Sequence, residues 1–330
     1  MKHIALIVSL LLAAACCPPA MWADIYSSNA WVAYVAANGS NDLLMTGGTP
    51  AGWTTSAPVT GQSSALSPAL TVFGANFVLA YVANNGSDDL LVTTSPDGVS
   101  WSTSVRVTGQ TSGRAPALTV FNNKLVLAYV ANNSSNDLLV TTSTNGVNWT
   151  SSVPVTGQSS GRAPALTVFG NKLVLAYVAN NGSNDLLVTT STNGVNWTTS
   201  TPVTGQSSAL SPALTVFNNE LVLGYVANNG SHDLLVTTST NGVNWTASTP
   251  VTGQTSALSP ALSILGNPTS SAAPITTFNL IMVYVANNGS DDLLITSSAD
   301  GIHWTTSTPI GGQSTRATPA VVMIESFNTQ

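Results

Sequence analysis

The segment Tyr-Val-Ala recurs along this chain with its tyrosine at positions 34, 81, 129, 177, 225 and 284. The spacings are 47, 48, 48, 48 and 59 residues, so nearly the whole sequence is six tandem copies of one unit. A unit of about 48 residues cannot bury a hydrophobic face alone, so the copies must pack on one another.

The copy from Gly161 to Ser208 shows what each unit contains. Pro164 to Phe169 is a short apolar run ended by the turn pair Gly170-Asn171, and Leu173 to Ala179 is a second run with no polar side, as expected of a strand covered on both faces. Asn180-Asn181-Gly182-Ser183-Asn184 is turn chemistry, Asp185 to Ser191 reads as a third strand, Asn193-Gly194 as a hairpin turn, and Val195 to Val203 as a fourth strand. The fourth is Thr-rich and carries Pro202, which suits an outer edge where a missing N–H discourages further pairing.

The two ends decide how the copies are arranged. The first copy begins at its second strand, Trp31 to Ala36, and the last segment, Thr318-Pro319-Ala320-Val321-Val322-Met323-Ile324, is a first strand with nothing after it. Joined in one sheet, they close the repeat into a ring. The expected fold is therefore all-β: a six-bladed β-propeller over residues 24–330, four antiparallel strands per blade, closed by N- and C-terminal strands sharing one blade. An open stack would need a capping unit at each end, and neither end reads as one.

Hydrophobic residues make up 43% of the 330 and charged residues only 6%, which excludes a disordered chain and describes a folded protein with a Thr/Ser/Asn surface. The net charge of -6 leaves no basic surface for nucleic acid, so none is expected as a partner. Lys2 and His3 followed by the apolar stretch Ile4 to Ala15 read as a secretory signal over residues 1–23 cleaved after Ala23; the rival route is lipid attachment at Cys16. Either implies a secreted, periplasmic or surface-anchored protein, and both cysteines precede the fold. After this stretch no apolar run reaches the length of a membrane span.

Five copies carry Ser-x-Asp/Asn-Gly-x-x-Trp between the third and fourth strands, at Ser95–Trp101, Ser143–Trp149, Ser191–Trp197, Ser239–Trp245 and Ser298–Trp304, while the first copy keeps only Gly52-Trp53. This pattern resembles the Asp-box, or BNR, repeat of sialidases and related six-bladed propellers. The resemblance covers nearly the whole chain after the signal and implies that the box is a structural turn, away from the functional face. A narrower similarity is to the sialidase segment Arg-Ile-Pro, whose arginine holds the substrate carboxylate. Arg114-Ala115-Pro116 and Arg162-Ala163-Pro164 resemble it, with Arg316 one residue further from its proline; the other copies have Leu66, Leu210 and Leu258 there.

The same family implies what an active enzyme would need: three arginines on one ligand, a tyrosine activated by glutamate, and an aspartate acid/base. Here six tyrosines sit at one repeated strand position, and Glu220 and Glu325 fall in a turn and near the terminus. Asp42, Asp89, Asp137, Asp185, Asp233 and Asp292 recur in every copy, as a turn-capping residue does. The copies Gly113–Ser160 and Gly161–Ser208 differ at only four positions, whereas an active site brings unlike groups to one atom. Near-identical units instead offer one site several times.

The expected function is multivalent, lectin-like, non-enzymatic binding of a glycan or glycoconjugate. A divergent sialidase-type glycoside hydrolase and a protein-binding adhesion protein are the alternatives. Arg114, Arg162 and Arg316, with Gln110 and Gln158 from the same connections, are the expected ligand-binding residues, near the mouth of the central channel. No cofactor is expected; calcium is the one metal the Asn-Asn-Gly-Ser-Asp-Asp loops could hold. Recognition is expected on the face carrying those loops, where Asn41, Asp88, Asn136, Asn184, His232 and Asp291 vary within a fixed frame.

Overall fold

The structure, a computed structural model, describes residues 25–267 and 275–328; the expected signal, its cleavage point and Cys16 lie outside them. Within the described residues the chain forms six antiparallel sheets. In the blade read above, the strands are Ala165–Phe169, Lys172–Val178, Asp185–Ser191 and Thr201–Ser207, each paired to the next. The innermost strands of successive blades lie side by side around the ring.

The closing blade joins the two ends of the chain. Residues Ala320–Asn328 pair antiparallel with Ile25–Val35, in a register running from Ile25 with Asn328 to Ala33 with Ala320. The joint is longer than the apolar pattern indicates, because Ser27, Ser28 and Asn29 read as polar and yet continue the strand. Ser28 is buried, and its hydroxyl accepts a hydrogen bond from the Gly266 N–H of the neighbouring blade at 3.0 Å, which offsets the cost of taking it out of water.

The core lies between the blades. The second strand presents alternate residues to its two neighbours: Leu173, Leu175 and Tyr177 pack on Val126, Ala128 and Val130 of the preceding blade, while Val174, Ala176 and Val178 pack on Leu221, Leu223 and Tyr225 of the next. This accounts for the absence of a polar side in that strand. Each fully buried aliphatic side chain contributes about 1.5–3 kcal/mol, so six such seams are the main source of cohesion.

A polar clasp crosses every seam at the repeated tyrosine. The hydroxyl of Tyr177 donates to the Gln158 side chain of the preceding blade's outermost strand and lies 2.8 Å from Ser200 Oγ of its own blade. The same arrangement joins Tyr81 to Gln62, Tyr129 to Gln110, Tyr225 to Gln206 and Tyr284 to Gln254, and Tyr34 to Gln313 completes the circuit across the closure.

The closing blade departs from the repeat at a second place. Trp31 occupies the strand position held by Val78, Val126, Val174, Val222 and Ile281 elsewhere. Its indole lies against Gly47, where a Cβ would come within 2.8 Å of the ring, and against Gly98 of the next blade, where a Cβ would come within 2.7 Å. It also meets Phe77 edge-on at 5.1 Å. The other blades carry Thr or Ser at the Gly47 position, so the large ring and the missing side chain are one exchange.

Closure can be tested by truncation. A chain ending at Gln313 exposes the inner edge of the first blade and should lose its cooperative thermal transition; a truncated chain that melts as sharply and at the same temperature as the full one would contradict a ring closed through its last strand.

Candidate functional site

The connections from the outermost strand of one blade to the innermost strand of the next converge on one mouth of the central channel. They line a cavity of about 490 Å³, with Leu66, Arg114, Arg162, Leu210 and Leu258 as the corresponding residue from five blades and Ala317, preceded by Arg316, from the sixth. Each connection is pinned by a buried hydroxyl: Ser112 Oγ donates to the Arg114 carbonyl at 2.7 Å, and Ser160 Oγ to the Arg162 carbonyl at 2.8 Å. The backbone that presents the arginines is therefore fixed.

The two arginines of adjacent blades are held alike. Arg114 donates through Nε to the Gly161 carbonyl at 2.8 Å and through Nη1 to the Gly113 carbonyl at 2.8 Å. Arg162 donates through Nε to the Ala209 carbonyl at 2.5 Å and through Nη1 to the Gly161 carbonyl at 3.4 Å. Both are half-buried, and among the described residues neither has a carboxylate partner. Each keeps its Nη2 donors unspent, so the pair presents two positive charges with free hydrogen-bonding capacity at an apolar rim. Arg316, across the ring, is exposed, and its Nε lies 3.6 Å from Asp291 Oδ2.

Gln110 and Gln158 stand elsewhere. They do not line the channel cavity, because each is taken up by the seam clasp, accepting from Tyr129 or Tyr177 and donating to the carbonyl of Thr108 or Thr156. The sequence showed that these glutamines share a connection with the arginines; it held no signal for the tyrosine hydroxyl one blade away.

The loops after the second strands lie on the same face. In each, Asn41, Asp88, Asn136, Asn184, His232 or Asp291 has φ between 53° and 60°. That left-handed conformation is what Asn, Asp and His tolerate better than other side chains, so the composition of this position has a backbone cause. The recurring Asp137 carboxylate accepts from Ser135 Oγ at 2.7 Å and Asn133 Nδ2 at 3.1 Å, which holds its pKa below the usual range. No cluster of three or more His, Cys, Asp or Glu side chains gathers among the described residues.

The tyrosine hydroxyls are spent on the seams, and burial raises the pKa of all six. A nucleophile needs the opposite shift and an open path to its substrate. Glu325 lies in the closing strand opposite Ser28, and burial raises its pKa as well.

On the opposite face, the hairpins between third and fourth strands are closed by side-chain to backbone bonds. In the second blade Asp97 Oδ1 accepts from the N–H groups of Ser100 at 2.7 Å and Val99 at 2.9 Å, while Gly98 N–H donates to Ser95 Oγ at 2.9 Å. Asn145, Asn193 and Asn241 do the same work in the next three blades. The tryptophans that follow, such as Trp149 and Trp197, pack against the seams.

Residues 95–261, half of the chain, match the family model of the DUF6242 β-propeller domain. The chain belongs to that family. No curated protein matches this DUF6242 propeller in sequence. Its fold is shared by a triple arginine-to-alanine variant of AofleA from Arthrobotrys oligospora, at 11% identity and a TM-score of 0.64 over 92% of this chain and 90% of that one. The fucose-specific lectin from Aleuria aurantia aligns at 13% identity and a TM-score of 0.62, over 88% of this chain and 97% of the lectin. An α-L-arabinofuranosidase from Fusarium graminearum aligns at 16% identity and a TM-score of 0.53, over 80% and 92%.

The hairpin of the second blade carries an acid-dependent signature. Bonding led by the Ser100 N–H lowers the Asp97 pKa to about 2, from about 4 in an unfolded chain. The carboxylate's contribution is therefore complete above pH 4 and lost as the pH falls towards 2. Asp97→Asn, the residue of the next three blades, should lower the melting temperature slightly at neutral pH. That deficit should shrink as the pH falls through 2 and vanish below it, as read from the difference between the two melting curves.

Proposed function

We propose that this propeller is a secreted, non-enzymatic glycan-binding protein of the Asp-box, sialidase-like kind, and that the channel mouth takes the acidic group of its ligand. The single observation that carries this reading is the pair Arg114 and Arg162: two half-buried guanidiniums in adjacent blades, braced by main-chain carbonyls and unpaired with any carboxylate among the described residues. A guanidinium holds a carboxylate through paired, charge-assisted hydrogen bonds, and the leucines at the same place in other blades cannot.

The likeness in fold to a fucose-specific lectin fits a sugar as the ligand. Repetition of the loops in every blade fits more than one contact per molecule. Commitment of every repeated tyrosine hydroxyl to a seam favours binding over hydrolysis.

A glycan array and a fluorogenic sialoside assay separate this reading from the others, since a protein-binding adhesin would leave the array blank and a hydrolase would release the fluorophore from the sialoside. If the ligand is a sialoside or another acidic glycan, Arg114→Leu and Arg162→Leu should each weaken binding by roughly 1.5–3 kcal/mol, the range for a hydrogen bond to a charged group, while neutral sugars are little affected. Titration of the folded double variant checks this: unchanged affinity for every ligand of the native protein would remove the arginines from the site.

A further inference from the structure

The chain carries two sets of Asn-Gly pairs, and the fold treats them in opposite ways. One set lies in the loops after the second strands: Asn38-Gly39, Asn85-Gly86, Asn181-Gly182, Asn229-Gly230 and Asn288-Gly289. The other closes the hairpins on the far face: Asn145-Gly146, Asn193-Gly194 and Asn241-Gly242.

Asparagine before glycine can lose its amide without an enzyme. The glycine nitrogen gives up its proton to a solvent base and attacks the asparagine Cγ. Nδ2 takes a proton back from solvent, its C–N bond breaks, ammonia leaves, and a five-membered succinimide is formed. Water then opens the ring at either carbonyl, leaving aspartate or its β-linked isomer. No oxidation occurs, and one negative charge is gained. The reaction needs a free, solvated glycine N–H and an asparagine carbonyl that can accept the attacking electrons.

The loops meet both needs. Their asparagines and glycines are exposed, and the N–H of each of these five glycines has no hydrogen-bond partner among the described residues. Each asparagine Oδ1 also receives two donors from the serine two residues on: at Asn85 these are Ser87 N at 3.0 Å and Ser87 Oγ at 2.6 Å, and Asn38, Asn181, Asn229 and Asn288 repeat the arrangement. Donors at that oxygen polarise the carbonyl and stabilise the oxyanion formed on attack.

The hairpins deny the first need and anchor the amide that would have to move. Gly146, Gly194 and Gly242 are buried, and each N–H donates to a serine Oγ at 2.9 Å. The asparagine Oδ1 is held between two main-chain N–H groups of the turn, as at Asn193 by Val195 and Asn196 at 2.9 and 2.8 Å, and ring closure would have to break that turn.

We propose that the five loop Asn-Gly pairs are sites of spontaneous, water-dependent conversion to aspartate and isoaspartate, while the three hairpin pairs are protected by the fold. Each event adds a negative charge to the face that carries Arg114 and Arg162. The modification itself does not depend on what that face binds.

The test is incubation of the folded protein at mildly alkaline pH, followed by peptide mapping for the amide-to-acid mass shift and the isoaspartyl bond. The loop sites should convert, and the hairpin sites should be slower by roughly tenfold or more, the factor for giving up at least one hydrogen bond before reaction. In denaturant the two sets should react alike. Gly86→Ser, which places at this loop the residue that Ser134 supplies in the third blade, should slow Asn85 alone. Ser143→Ala, which frees the Gly146 N–H, should make Asn145 labile. Hairpin sites that convert as fast as loop sites in the folded protein, or loop sites that stay intact while denatured chains react, would overturn the proposal.

Discussion

Everything in this molecule depends on the antiparallel joint between residues 25–33 and 320–328. A single blade with an apolar second strand cannot bury both its faces alone. In the ring each blade covers its neighbours, and the last seam exists only because the two ends of the chain share a sheet. The joint also fixes the channel mouth, since Arg316 enters it from the connection that leads into the closing strand. Folding of the seams, the clasps and the mouth is therefore coupled to a contact between residues about 300 positions apart, the kind of long-range pairing that makes β-topologies slow to form.

Repetition gives the frame, and the departures from it carry the particulars. Where blades are alike, a leucine sits at the mouth or an asparagine in the hairpin, and the local chemistry is packing or turn closure. The arginines of adjacent blades break the pattern at the mouth, on an immobilised backbone and without an ion-pair partner. The exchange at Trp31 and Gly47 breaks it at the closure, where it fills the seam to the second blade. The exchange at Trp31 serves the fold, and the unspent guanidinium donors set the arginines apart as the departure proposed to serve an outside ligand.

The architecture was legible in the sequence because each signal was repeated. Strand alternation, turn residues and the incomplete first and last copies all pointed to one closed ring, and the pairing of Ala33 with Ala320 is what they require. The candidate site was legible only in part. Arg114 and Arg162 stood out because neighbouring copies have leucine, but Gln110 and Gln158 occur in equivalent form in every copy, a regularity that fits a structural role while leaving the tyrosine partner unmarked. The extension of the closing strand through Ser27 to Asn29 was hidden because these residues read as polar, and Ser28 meets its Gly266 N–H partner only in the assembled ring. The variation at Asn41, Asp88 and His232 looked like specificity, whereas the left-handed backbone selects for those residue types.

The most direct test of the account follows the arginine Nε–H signals of the folded protein by nuclear magnetic resonance during titration with a sialoside and with its neutral counterpart. The Nε–H groups of Arg114 and Arg162 bond to carbonyls in the free protein, and a carboxylate seated on the neighbouring donors would shift both signals together. The account predicts a saturable shift at these two residues with the sialoside and none with the neutral sugar. Shifts confined to the far face, or equal shifts with both sugars, would contradict it.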